Sequence, residues 1–175
     1  MLCLCLPLHA QTAQETKVDY SQVSAPILNF EKLIGDIIRA TLPGEFGVVQ
    51  RPKGALVPDA GYVFTFLVNM NRGLIHSPMG TFSDPSSLSP AKKREKIETL
   101  RDLLTRLLYS QGNTLTQLKR DKTITIIAFF EDTSPEEETV SKRLILSVMK
   151  GDVDDSIMKQ QGINEFKSKV KIIEY

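Results

Sequence analysis

The segment SPAKKREKIETLRDLLTRLLYSQG (Ser89–Gly112), followed after a short connection by TITIIAFF (Thr123–Phe130), decides the fold. Ile97, Leu100, Leu103, Leu104, Leu107 and Leu108 recur with helical spacing and form one apolar face. Lys92, Lys93, Arg94, Glu95, Lys96, Glu98, Arg101 and Asp102 fall on the opposite face. Ser89 predicts the N-cap, Pro90 the first helical position and Gly112 a left-handed stop just past the end. Thr123–Phe130 is β-branched or aromatic almost throughout, which predicts a central strand buried on both faces.

Beyond this unit, Glu131–Glu138 reads as an acidic loop and Arg143–Met149 as a second buried strand. Asp152 caps an expected short helix over Val153–Gln161 that Gly162 closes, and Asn164 opens one further turn carrying Phe166. Val170–Tyr175 alternates as a final strand. On the N-terminal side, Tyr62–Val68 is a strong strand and Phe46–Arg51 a shorter one. The turn-forming residues of Pro52–Gly61 predict a long ordered loop between them, with Pro52 and Pro58 keeping it out of the sheet. That hairpin would bring Arg51 and Lys53 toward the turn near Tyr62. Ser24-Ala-Pro26 opens a helix with Ile27, Phe30, Leu33, Ile34, Ile37 and Ile38 on one side, ending before Pro43. Gly35 inside it points to close packing on a neighbouring element. Asn69–Leu88 is a run of about twenty residues without periodicity, longer than compact domains usually accommodate, and reads as a binding surface or a mobile loop.

The expected class is therefore α+β, a mixed sheet with helices packed mainly on one face. From about residue 62 the order β-α-β-β-α-β is the split βαβ order of ferredoxin-like folds, preceded by an extra helix and strand. One conflict is built into this expectation. The first strand of such a sheet is central, which leaves no edge for a hairpin partner at Phe46–Arg51.

The chain of 175 residues is 41% apolar and 25% charged with a formal charge of +1, an ordinary globular composition with no global pull toward nucleic acid or anionic membrane. Met1–Leu8 is apolar and uncharged, and Ala10 precedes a polar segment. The run resembles the back half of a secretory signal peptide, without the usual basic start. Its eight apolar-rich residues are far short of the roughly 20 that a membrane-spanning helix needs. The expected division is a signal-peptide remnant at 1–10, a flexible linker at 11–23 and one domain over 24–175. The expected location is periplasmic or secreted, with a cytoplasmic location as the alternative. Cleavage would remove Cys3 and Cys5, and with them disulfides, thiol catalysis and cysteine-ligated zinc.

Candidate chemistry is sparse. With His9 in the leader, His76 is the one remaining histidine, so a histidine-rich metal site is excluded and any Ser-His-Asp triad would have to use it. There is no Gly-x-Ser-x-Gly elbow, and the glycines between Gly44 and Gly61 form no nucleotide-binding pattern. Asp152, Asp154 and Asp155 lack the spacing of a calcium loop and read as helix-capping charge. Lys92–Lys96 reads as a solvated helix face. Asn69, Asn71, Arg72 and His76 make the best polar binding patch. The functional expectation is a binding or structural module of the cell envelope without a catalytic site or cofactor. Its expected partner is an envelope protein, with no specific nucleic acid and no transmembrane span. Such a module predicts an apolar patch, a groove, or an open sheet edge at Phe46–Arg51. One alternative is a carboxylate-dependent hydrolase using Asp84, Glu131, Asp132 or the Asp152–Asp155 group. The other is a cytoplasmic regulatory or nucleic-acid-associated module.

Overall fold

The computed structural model describes residues 20–42, 47–70, 75–77, 80–82, 89–131 and 142–175. In chain order these form α1 (Tyr20–Thr41), β1 (Gly47–Val57), β2 (Gly61–Asn69), β3 (Ile75–Ser77), β4 (Gly80–Phe82), α2 (Pro90–Gln111), β5 (Thr123–Glu131), β6 (Arg143–Met149), α3 (Lys150–Met158), α4 (Ile163–Lys167) and β7 (Lys171–Glu174). A 3-10 turn, Gly112–Thr114, extends α2.

Five strands form one mixed sheet in the order β1-β2-β5-β6-β7, and β3 pairs with β4 in a separate hairpin. The α+β class is what the sequence pattern requires, but the strand order corrects the split βαβ expectation. β5 lies directly beside β2 in parallel, from Gly61 opposite Thr123 to Asn69 opposite Glu131, with no strand inserted between them. The 22 residues of α2 supply the crossover that a parallel pair needs. β7 adds to β6 instead of returning to β2. That leaves the outer side of β2 for β1, which resolves the conflict over the hairpin.

β1 also runs further than expected. It continues through Pro52 to Val57, with register irregularities between Val48 and Gln50 and between Gln50 and Lys53. An edge strand with a bulge tolerates proline because no neighbour needs its missing N–H. Lys53 therefore lies opposite Thr65 in mid-strand, and the turn is only Pro58–Ala60.

The core lies on one side of the sheet. Tyr62, Phe64, Phe66 and Val68 of β2, Ile124, Ile126, Ala128 and Phe130 of β5, and Leu144, Leu146 and Val148 of β6 are buried. They pack with Phe30, Ile34 and Ile38 of α1, Leu100, Leu104 and Leu108 of α2, Val153 of α3 and Phe166 of α4 in one cluster. Each valine, leucine, isoleucine or phenylalanine among them contributes roughly 1.5–3 kcal/mol relative to exposure. The Phe30 and Phe64 rings meet at 4.7 Å. Gly54 N–H donates to Glu31 Oε1 at 2.7 Å, tying α1 to β1. α4 docks through Phe166, whose ring lies 5.4 Å from Tyr109 of α2.

Several local expectations are corrected. α1 begins at Tyr20 and contains Pro26, and Val23, assigned to the linker, is buried. Ser89 and Pro90 start α2 as expected. Gly112, however, is right-handed at φ −62°, and packing explains it: an added Cβ would lie 3.1 Å from Val153. α3 starts at Lys150 with Met149 at the N-cap, so Asp152 lies inside the first turn and does not cap it. The Lys150 and Gly151 amides instead donate to the carbonyls of Lys122 and Arg120. The helix ends with Gln160, not Gly162, in the left-handed conformation at φ 51°. Part of the Asn69–Leu88 stretch is the β3–β4 hairpin, which places the His76 backbone opposite Thr81.

Candidate functional site

β5 was expected to be buried on both faces, and it is buried on one. Its burial alternates strictly, with Thr123, Thr125, Ile127 and Phe129 left partly exposed. The reason lies in the layers: the described helices all pack on the side of Phe64, Ile126 and Leu146. Ile27 and Phe30 of α1 meet Phe64 and the space above Gly54. Val153 of α3 closes on Gly112 beside Ile124. Arg101 of α2 reaches Glu174 on the same side.

The opposite face follows from the strand register. One row across it is Ala55, Val63, Thr125, Ser147 and Lys171. The next is Lys53, Thr65, Ile127, Ile145 and Ile173. A third is Gln50, Leu67, Phe129, Arg143 and Tyr175, the last pair joined by reciprocal backbone hydrogen bonds. Leu67, Ile127, Phe129, Ile145 and Ile173 thus form an aliphatic and aromatic centre on a face that no described helix covers. Ile173 is 37% exposed.

Polar groups frame this centre. Thr125 and Ser147 share a hydroxyl hydrogen bond at 3.0 Å. The Arg143 guanidinium lies 5.6 Å from the Phe129 ring centre and 5.5 Å from that of Tyr175, and Nη1 donates to the Tyr175 hydroxyl at 3.0 Å. Contacts of this kind hold the cation flat against the aromatic surface. Beside them, Gln50, Leu67, Phe129, Phe130, Glu131, Lys142 and Arg143 line an open depression of about 430 Å³.

The sequence-derived patch touches this region at one point. Asn69, at the end of β2, is half-buried and lies opposite Glu131, which lines the depression. The His76 backbone is in the separate hairpin, and Asn71 and Arg72 fall outside the described residues. Sequence reasoning missed Ile127, Phe129, Ile145 and Arg143 as surface residues. For Ile127 and Phe129 the signal is the run of apolar residues at consecutive positions in β5, and for Ile145 the same run in β6, which reads equally as a doubly buried strand; nothing in the sequence marks Arg143.

The carboxylates of the hydrolase alternative are not brought together where they are described. Glu131 ends β5, whereas Asp152–Asp155 follow Met149, which pairs with Thr123 at the strand's other end. A nine-residue strand separates those ends by about 26 Å. The aspartates are engaged in ion pairs: Asp154 with Lys150, Asp155 with Arg120 and Lys159, and Asp152 with Lys169. Hydrogen bonds from Arg120 and Lys159 hold the Asp155 carboxyl below its ordinary range, the opposite of what a general acid requires. Asp84 and Asp132 lie outside the described residues. Among the described residues, no group of three or more histidine, cysteine, aspartate or glutamate side chains is placed to hold a metal ion. No helix among them is long and apolar enough to cross a membrane.

Comparison with protein-family models, curated proteins and solved structures finds no match to this chain.

Proposed function

We propose that this protein is a non-catalytic binding module that engages a protein partner through the open face of its sheet. One observation carries the reading. Ile127, Phe129 and Ile145, residue types selected for burial, lie side by side on a face that no described helix covers. The depression at Glu131, which lies opposite Asn69, extends the same face. The apolar start of the chain supports export, so the proposed setting is the periplasm or the cell exterior, with an envelope protein as the partner.

Site-specific photocrosslinking in the native host tests the binding reading. A photoreactive phenylalanine analogue at Ile173, exposed on the open face, should give a discrete protein adduct. The same group at Glu98, exposed on α2, should give none. Equal labelling at both positions, or none at Ile173, would rule the face out as the binding surface. The intact mass of the protein from envelope and soluble fractions tests export. Loss of about the first ten residues is expected, and a full-length cytoplasmic protein would favour the regulatory alternative.

A further inference from the structure

The side-chain charges around the open face are mainly cationic. On the helix side seven cations have carboxylate partners: Arg39 with Asp36, Arg101 with Glu174, Arg120 and Lys159 with Asp155, Lys150 with Asp154, Lys167 with Asp102, and Lys169 with Asp152. Each pair includes a helical residue or one packed against a helix. Lys53 and Lys171 stand at the two flanks of the open face, Arg143 projects from β6 and Lys142 borders the depression. Among the described residues none of these four side chains pairs with an aspartate or glutamate, and Glu131 is the one acidic side chain among them at the margin of the face.

We infer that the partner segment accepted by this face is acidic, with apolar residues flanked by carboxylates; the inference rests on the binding reading above. The aliphatic centre of Leu67, Ile127, Ile145 and Ile173 takes the apolar residues, and the surrounding Lys53, Arg143 and Lys171 take the carboxylates. Size favours a peptide segment over a second copy of the chain. Five strands about 4.8 Å apart and three rows about 6.6 Å apart give a face of roughly 20 by 13 Å. That is well below the roughly 800 Å² per partner that a stable globular interface buries, and it suits one extended segment of about six residues. Composition favours protein over nucleic acid. Base stacking needs open aromatic platforms, whereas Phe129 and Tyr175 are both in contact with the Arg143 guanidinium.

Fluorescence anisotropy with the full chain tests this. The probe is a labelled peptide of about twelve residues, about twice the extended length of the face, with four apolar residues between glutamate runs that reach past its edges. Its comparators are the same peptide with glutamine for glutamate, an oligodeoxythymidylate, and vesicles containing phosphatidylglycerol. The acidic peptide should bind and weaken about tenfold in the Lys53→Glu/Lys171→Glu variant, as two surface charge reversals imply. Binding should also weaken with added salt. Both lysines are exposed, so the variant should keep its circular dichroism spectrum and melting temperature. If the glutamine peptide binds equally and is insensitive to the variant, the acidic partner falls while the binding face stands. Preference for the oligonucleotide or the vesicles overturns the peptide assignment. If neither peptide binds, the acidic segment is excluded, and the Ile173 adduct then decides separately whether the face binds at all. Dimerisation abolished by the lysine reversals would replace the peptide with a second copy.

Discussion

At the scale of single residues, glycines separate what a sequence can say from what only packing can. Gly35, inside α1, looked like a contact point, yet a Cβ there would meet only the Arg39 guanidinium at 3.6 Å, an ordinary van der Waals distance. Gly35→Ala should therefore raise stability by about 0.8–1 kcal/mol, the helix-propensity difference, read from a urea melt. A loss of stability would show that the site packs against something after all. Gly54 is the opposite case, and nothing in its sequence context marks it. A Cβ would fall 2.6 Å from Phe64 Cδ1 and 2.8 Å from Ile27 Cγ2, between the sheet and α1. Gly54→Ala should cost about 1–3 kcal/mol as overpacking and shift the denaturation midpoint without changing its slope. The local sequences around the two glycines do not reveal this difference, because it depends on which helix lies over which strand.

At the scale of elements, type was more legible than boundary, and boundary more than neighbour. Apolar, β-branched and aromatic runs found β2, β5 and β6, alternation found β7, and capping residues placed the start of α2 correctly. Helix ends were harder. The sequence suggested Gly162 as the stop for α3, but the Gln160 and Gln161 amides close the helix on the carbonyls of Ile157 and Ser156, a Schellman arrangement with glutamine at its left-handed position. A side chain there costs about 1–2 kcal/mol, so Gln160→Gly should recover roughly 1 kcal/mol and raise the melting temperature by a few degrees. No gain would mean that Gln160 makes a compensating contact. Strand order was not legible at all. Periodicity reports which face of a strand is buried, not which strand lies beside it. β7 could satisfy its hydrogen bonds against β6 or β2, and the presence of β1 on β2 excludes the second choice. The same gap hid the candidate face, since an apolar strand reads identically whether its second face meets a helix layer or a partner.

At the scale of the whole molecule, the ion pairs gather on the helix side, while the lysines of the sheet face have no carboxylate partner among the described residues, and only the first group ties stability to acid. Arg120, on the approach to β5, and Asp155, in α3, form an ion pair linking that approach to the helix layer, with Lys159 as a second donor. The folded-state pKa of Asp155 is lowered by these hydrogen bonds and charges, first by Arg120. A lowered carboxyl pKa contributes stability that is present above the unfolded value, about 3.9, and is lost as pH falls through the folded value. Acid should therefore weaken the α3 attachment only below about pH 4. Asp155→Asn should be less stable than the parent at pH 7, with the difference shrinking as pH falls toward 2. Melting temperatures of the two proteins across pH 2–7 check this. Parallel curves would show that the ion pair contributes nothing to folding. The lysines of the open face predict a contrasting result. Lys53→Glu/Lys171→Glu should leave the melting curve at pH 7 almost unchanged, because the sheet face holds no carboxylate among the described residues that those ammonium groups stabilise. Loss of partner binding with no loss of stability would locate the purpose of that charge outside the fold.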